Sequence, residues 1–155
     1  MKKLLVLVAM VATLGITAAA ESPIKLSLYD NIAWPETNKA NIVLGLIDNN
    51  TPTVAGVSLA IGSSRVDDLT GASWAWIYAR SNKLAGVQWA LYDVTNKATG
   101  VTFGLVNHNK GAFTGAQLGF VNYINRIDKG LQIGLVNIIE SNGWLPIMVI
   151  VNGRF

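Results

Sequence analysis

From Gly86 to Asn137 the chain repeats a phrase in which large apolar residues alternate with small or mildly polar ones. It reads Gly86-Val-Gln-Trp-Ala-Leu-Tyr-Asp93, Gly100-Val-Thr-Phe-Gly-Leu-Val-Asn107, Gly115-Ala-Gln-Leu-Gly-Phe-Val-Asn122 and Gly130-Leu-Gln-Ile-Gly-Leu-Val-Asn137. Going backwards, the same beat falls on Gly71, Gly56 and, with Asn in place of Gly, Asn41; the spacing is 15 residues, with one slip to 14 between Gly86 and Gly100. So short a fixed period means one small structural unit used repeatedly. Alternation with a period of two predicts that the unit is a β-strand.

One side of each expected strand is bulky and apolar, as in Val87, Trp89 and Leu91 or Val101, Phe103 and Leu105. The other side carries Gly, then Ser, Gln or Thr, then Gly or Ala, then a medium apolar residue such as Val106, Val121 or Val136. Between phrases lie Ser81-Asn82, Thr95-Asn96-Lys97, Lys110-Gly111, Asn125 to Asp128 and Ser141-Asn142-Gly143, and most of the charge. Asn and Gly tolerate positive φ, so these segments read as hairpin turns. In an antiparallel register each Gln or Thr lies beside a neighbour's Gly or Ala, large against small. In parallel coils Gln would stack on Gln and Gly on Gly.

The expectation is therefore an all-β, antiparallel up-and-down meander closing into a small, about eight-stranded outer-membrane barrel, with a β-solenoid of 15-residue coils as the alternative. An eight-stranded interior is just wide enough to be filled by side chains, which favours the small face inside and the bulky face toward lipid. Gln88, Thr102, Gly104, Gln117, Gly119, Gln132 and Gly134 are the expected barrel interior, with Val106, Val121 and Val136 filling what remains. Trp74, Trp76, Trp89, Phe103, Phe120 and Phe155 are the expected lipid-facing aromatics. Lys25 and Arg154 are expected to point inward. Strand count is ambiguous, because Ile24 to Tyr29 makes a possible ninth strand and Pro35 breaks the segment after it.

Lys2 and Lys3 precede an apolar run from Leu4 to Leu14, and Ala18, Ala19 and Ala20 follow. Residues 1–20 therefore read as a secretory signal peptide, leaving residues 21–155 as a single repeat-built domain. Within it an N-terminal strand or arm falls at 24–39, repeats at 41–139 and a C-terminal strand at 145–155. Without Lys2 and Lys3 the chain has 10 basic and 9 acidic residues, so its charge gives no reason to expect nucleic acid as a partner. There is no Cys, which excludes disulfides, thiolate metal sites and an acyl anchor at the signal junction.

No catalytic motif stands out. His108, the only His, sits in Asn-His-Asn-Lys and reads as a solvated turn residue, and Asp67-Asp68 lacks the spacing of a calcium loop. Neither an enzyme, a cofactor nor a metal is expected. The expected partners are outer-membrane lipid and, through the C-terminal strand ending at Phe155, the barrel assembly machinery.

The repeats, with Ile24-Lys-Leu-Ser-Leu28 and Gly143-Trp-Leu-Pro-Ile147, resemble bacterial surface-repeat proteins built from Thr-Gly-Leu-Gln-x-Gly-Leu-Val-Asn units. The likeness implies an exported, envelope-associated protein with a structural or surface-interaction role and no specified activity. Gln117-x-Gly119-x-x-Asn122 and Gln132-x-Gly134-x-x-Asn137 also resemble the spacing of curli-type subunits, which keeps a solenoid or fibre-forming surface protein as the alternative.

Overall fold

The computed structural model describes residues 21–30 and 32–155; the expected signal peptide lies outside them. The fold is all-β and is a parallel β-solenoid of about 7 turns, not a closed barrel. The strands are β1 (Glu21–Tyr29), β2 (Ile32–Trp34), β3 (Lys39–Gly45), β4 (Asp48–Ala60), β5 (Ser63–Ala75), β6 (Tyr78–Trp89), β7 (Tyr92–Phe103), β8 (Val106–Leu118), β9 (Val121–Ser141) and β10 (Ile147–Arg154). From β3 to β9 each strand pairs in parallel with the next, so equivalent positions of successive repeats lie directly above one another. The antiparallel meander is thereby overturned, and the alternative of 15-residue coils stands.

The local reason lies in glycine. Gly56, Gly71, Gly86, Gly100, Gly115 and Gly130 all have φ between +128° and +147°, a conformation that side chains disfavour. They stack in register, and a Cβ on Gly115 would sit 1.8 Å from the carbonyl oxygen of Gly100. The Gly column is no unfilled gap, as the antiparallel reading supposed. It is a corner at which backbone takes the space of a side chain. Asn41, the one non-glycine on this beat, lies where the β3–β4 register slips, between Ala40 and Ile42.

Each coil alternates inward and outward only in short runs. Along residues 78–93 the buried positions are Ala79, Ser81, Leu84, Gln88, Ala90 and Asp93, so the phase slips after Ser81 and after Ala90, while the half-buried corner Gly86 lies between Leu84 and Gln88. Bends fall at Ile61-Gly62, Trp76-Ile77, Leu91, Gly104-Leu105 and Gly119-Phe120, inside the phrases expected to be uninterrupted strand. Conversely, the expected turn segments at Thr95 to Lys97 and Lys110-Gly111 lie within β7 and β8. Their Asn residues stack axially instead of closing hairpins: Asn96 Nδ2 donates to Asn82 Oδ1 at 2.8 Å, and Asn82 Nδ2 to Asp67 Oδ1 at 2.6 Å.

Inward columns fill the coil. Val54, Leu69, Leu84, Ala98, Phe113 and Ile127 form one apolar column, in which the bulk of Phe113 is matched by the small Ala98 beside it. Ser58, Ser73, Gln88, Thr102, Gln117 and Gln132 form a second, wholly buried and polar. Its amides do stack on one another, with Gln132 Nε2 donating to Gln117 Oε1 at 3.0 Å. A third column carries Asn107, Asn122 and Asn137, in which each side-chain amide donates to the next coil's Oδ1 at 2.8 and 2.9 Å. An amide carries both donor and acceptor, so like stacks on like at Asn107, Asn122 and Asn137 and at Gln117 and Gln132, while Gln88 Nε2, Thr102 Oγ1, Gln117 Nε2 and Gln132 Oε1 have no hydrogen-bond partner.

The ends differ from the middle. β2 pairs antiparallel with β1, so the segment leading to Pro35 forms a short antiparallel cap. Lys25 is buried and its Nζ donates to Asn50 O at 2.7 Å and Thr37 O at 3.4 Å; burial holds its ammonium below the usual lysine value, with Glu36 opposing. At the other end β10 folds back antiparallel on β9 after Asn142, which has φ 70°. Arg154, expected inside, is exposed.

Two substitutions test this construction. Gly115→Ala should destabilise by at least about 3 kcal/mol, since backbone strain and steric overlap add at one site, whereas Ala85→Ser, on an exposed position, should unfold in urea at the wild-type midpoint. Asn122→Ala removes bonds to Asn107, Asn137 and Ile133 O and should cost about 2–4 kcal/mol in the same measurement.

Candidate functional site

The run from each corner glycine to the following bend turns three side chains outward per coil. In-register stacking aligns them into a face beginning with Ile24, Leu26 and Leu28. It continues through Ile42, Leu44 and Leu46 and Val57, Leu59 and Ile61 to Ala72, Trp74 and Trp76, followed by Val87, Trp89 and Leu91. Val101, Phe103 and Leu105, then Ala116, Leu118 and Phe120, then Leu131, Ile133 and Leu135 complete it. Every one of these positions is apolar. Large side chains remain open to solvent, Trp76 at 55 % and Leu135 at 63 % of their full exposure. A contiguous apolar area on this scale is larger than a soluble monomer ordinarily leaves to solvent.

The face is not flat. Trp74 and Trp89 stack with ring centroids 4.1 Å apart, and Trp76 stands edge-on to both, at 6.3 and 5.5 Å. This aromatic ridge separates two grooves. One, of about 910 Å³, is lined on the N-terminal side by residues including Leu26, Leu28, Ile32, Trp34, Leu59 and Trp76. The other, of about 450 Å³, is lined by residues including Trp89, Phe103, Leu105, Phe120, Leu135 and Ile150.

The residues singled out from sequence are distributed as follows. Trp74, Trp76, Trp89, Phe103 and Phe120 come together on the apolar face, while Phe155 lies at the C-terminal cap with its ring 5.3 Å from Trp144. Gln88, Thr102, Gln117 and Gln132 are fully buried in the solenoid interior, which has no lumen to line. Gly104, Gly119 and Gly134 are half-buried at the bend, where a Cβ would sit 1.9–2.4 Å from the preceding coil's carbonyl oxygen. Val106, Val121 and Val136 lie beyond the bend and are not buried, correcting the expectation that they fill an interior.

The other outward surfaces are polar or mixed. Arg65 donates through Nη2 to Asp30 Oδ1 at 2.9 Å and also to Asp48, and the Asp48 hydrogen bond raises the guanidinium value further. Lys83 pairs with Asp68 at 3.3 Å. His108 is not in a turn; it lies in β8 with its ring 4.8 Å from Tyr123 and nearly perpendicular to it. Burial holds its imidazole below the usual value, Lys110 reinforcing and Glu140 opposing. Among the described residues no group of three His, Cys, Asp or Glu could hold a metal ion.

Two features escaped sequence reasoning. The phrase-ending Asn residues are buried rungs and not turn residues, and their regular recurrence was the available signal. Asp93 occupies the same position with a carboxylate, where a charge that follows a strand reads as solvated. Comparison with known proteins adds no further assignment: no family model, no curated protein and no solved structure matches this chain.

Proposed function

We propose that this chain is an exported, non-catalytic surface-interaction solenoid that associates with a second copy of itself through its apolar face. The observation that carries the reading is the uninterrupted run of apolar rows on one side of the stack, β1 to β9, while charge is confined to the others. Export rests on the apolar leader and its Ala18-Ala19-Ala20 junction, and the surface-repeat likeness agrees with it.

Eight stacked rows at about 4.8 Å, each three residues across, give a face of roughly 10 by 34 Å. Side chains standing on it raise the accessible area further, which puts a face-to-face pair at about the lower end of specific interfaces, near 1,200 Å² in total. Two such sheets would pack at about 10 Å with interdigitating side chains. A ridge flanked by grooves can seat in the groove of a two-fold related copy, because an isologous interface needs only self-complementarity. The near balance of basic and acidic residues outside the leader gives no electrostatic reason for an anionic bilayer to be the occupant instead. Association through the ends is disfavoured by their antiparallel caps.

Sedimentation of residues 21–155 at micromolar concentration should give a dimer or larger lateral assembly, and the double variant Trp89→Lys, Leu105→Glu should be a monomer with an unchanged far-ultraviolet spectrum. Three results would sink the proposal: a monomeric wild type, a monomer that floats with phospholipid vesicles, or dye-binding fibres whose growth the double variant does not slow.

A further inference from the structure

The amide column that begins at Asn107 has a defect at its N-terminal side. Asn107, Asn122 and Asn137 pass a hydrogen bond from coil to coil, each Nδ2 donating to the Oδ1 of the next. On that pattern Asn107 Oδ1 should accept from the residue paired with it on β7, which is Asp93. Instead, Asn107 Oδ1 and Asp93 Oδ1 are both buried without a hydrogen-bond partner. The other oxygen, Asp93 Oδ2, accepts from the Ala90 backbone N–H at 3.1 Å. These two register-paired acceptors have no donor between them, and the one spare amide donor beside the carboxyl, Gln88 Nε2, lies on the β6 side, away from Asn107.

We propose that Asp93 is protonated at neutral pH, its carboxyl O–H donating to Asn107 Oδ1 as the first rung of the ladder, and that the solenoid loses stability as pH rises from the acid range to the point at which the folded protein releases this proton to water. Nothing around the carboxyl group can balance a charge. On β6 it faces Ala79 and Gln88, with Ala90 at the bend that follows; on β8 it faces Asn107, with Gly104 at the bend that precedes. None of these titrates, and Asp93 itself is 1 % exposed.

Burial accordingly pushes the carboxyl up to about 8, with Gln88 and the Ala90 N–H opposing. In an unfolded chain the same group releases its proton near pH 4. The folded state thus binds the proton more tightly, and the stability it contributes is complete below about pH 4 and is lost as pH rises to about 8. With the proton gone, a buried carboxylate would face Asn107 Oδ1, acceptor against acceptor, at the head of the side-chain bonds that join Asn107, Asn122 and Asn137.

Asp93→Asn supplies the missing donor without an ionisable proton. Thermal unfolding of wild type and Asp93→Asn should therefore diverge with pH: the wild-type midpoint falls relative to the variant by roughly 5 °C or more between pH 5 and pH 9. Parallel pH profiles for the two proteins would overturn the proposal. Independently of whether the variant folds, the carboxyl carbon of Asp93 in the wild type should titrate by NMR well above pH 6. A titration near pH 4, or none up to pH 10 with no alkaline loss of stability, would refute it.

Discussion

The approach of one coil's carbonyl oxygen to the next coil's glycine is the constraint on which this fold depends. At Gly71, Gly86, Gly100, Gly115 and Gly130 the position a Cβ would take is already within 1.8–2.0 Å of that oxygen. From Gly56 to Gly130 the corner forms because each coil has glycine there and is in register with the last; the β3 coil, with Asn41 at this position, slips register instead. A repeat that keeps this residue at 15-residue spacing therefore specifies parallel stacking. The single 14-residue step is taken at the bend between Trp89 and Tyr92, one residue shorter than the bend between Trp74 and Tyr78, and the 15-residue offset resumes where the β7–β8 register shifts between Thr95 and Ala98; the glycines stay aligned across both.

Register at the corner fixes the chemistry of every other column. Stacking places like residues together, so a column must be made of side chains that tolerate their own kind. Apolar residues do so by dispersion and by volume compensation, as Ala98 does for Phe113. Asn and Gln do so by passing a donor to the next acceptor, so that in the C-terminal half the amide columns lie buried alongside Phe113, Ile124, Ile127 and Ile139. Carboxylates do not, since two acceptors repel. That is why a lone Asp93 among Asn residues is a chemical event, while a further Asn there would be unremarked.

Much of this was legible. Period, strand content and the identity of the small and bulky sides follow from the alternation in Gly115-Ala-Gln-Leu-Gly and its copies. What misled was the assignment of turns. Asn82, Asn96 and Lys110-Gly111 have hairpin chemistry, yet the same residues serve as stacked rungs or corner residues within continuous strand. The actual bends, at Gly104-Leu105 and Gly119-Phe120, carry an exposed apolar residue that reads as strand interior. Short-range propensity cannot separate these cases, because Asn and Gly suit a hairpin turn and equally suit a stacked amide rung or a close backbone approach, and Asn82, Asn96 and Gly111 have no positive φ here. The distinction is long-range: it depends on whether the neighbour across the sheet runs up or down, and on a close backbone approach that leaves no trace in residue type except the glycine itself.

A stack of parallel coils has two ends and several sides, and its association behaviour depends on which of these is left uncovered. Ends are the usual hazard, since an open strand offers unpaired N–H and C=O groups to any extended chain. Here β2 covers part of the first coil, and β10 reverses direction against β9 with a register shift between Met148 and Ile150 and a positive φ at Ile150. Both devices make continuation of the parallel stack by another molecule geometrically unfavourable. The apolar side has no such protection: it carries no charge, no proline in its three-residue runs from β3 to β9 and no covering element over its ridge of Trp74, Trp76 and Trp89. Covered ends and an open flank together leave the hydrophobic free energy that folding does not use on one side of the stack, which is why the proposed association is between two finished solenoids and not an extension of one.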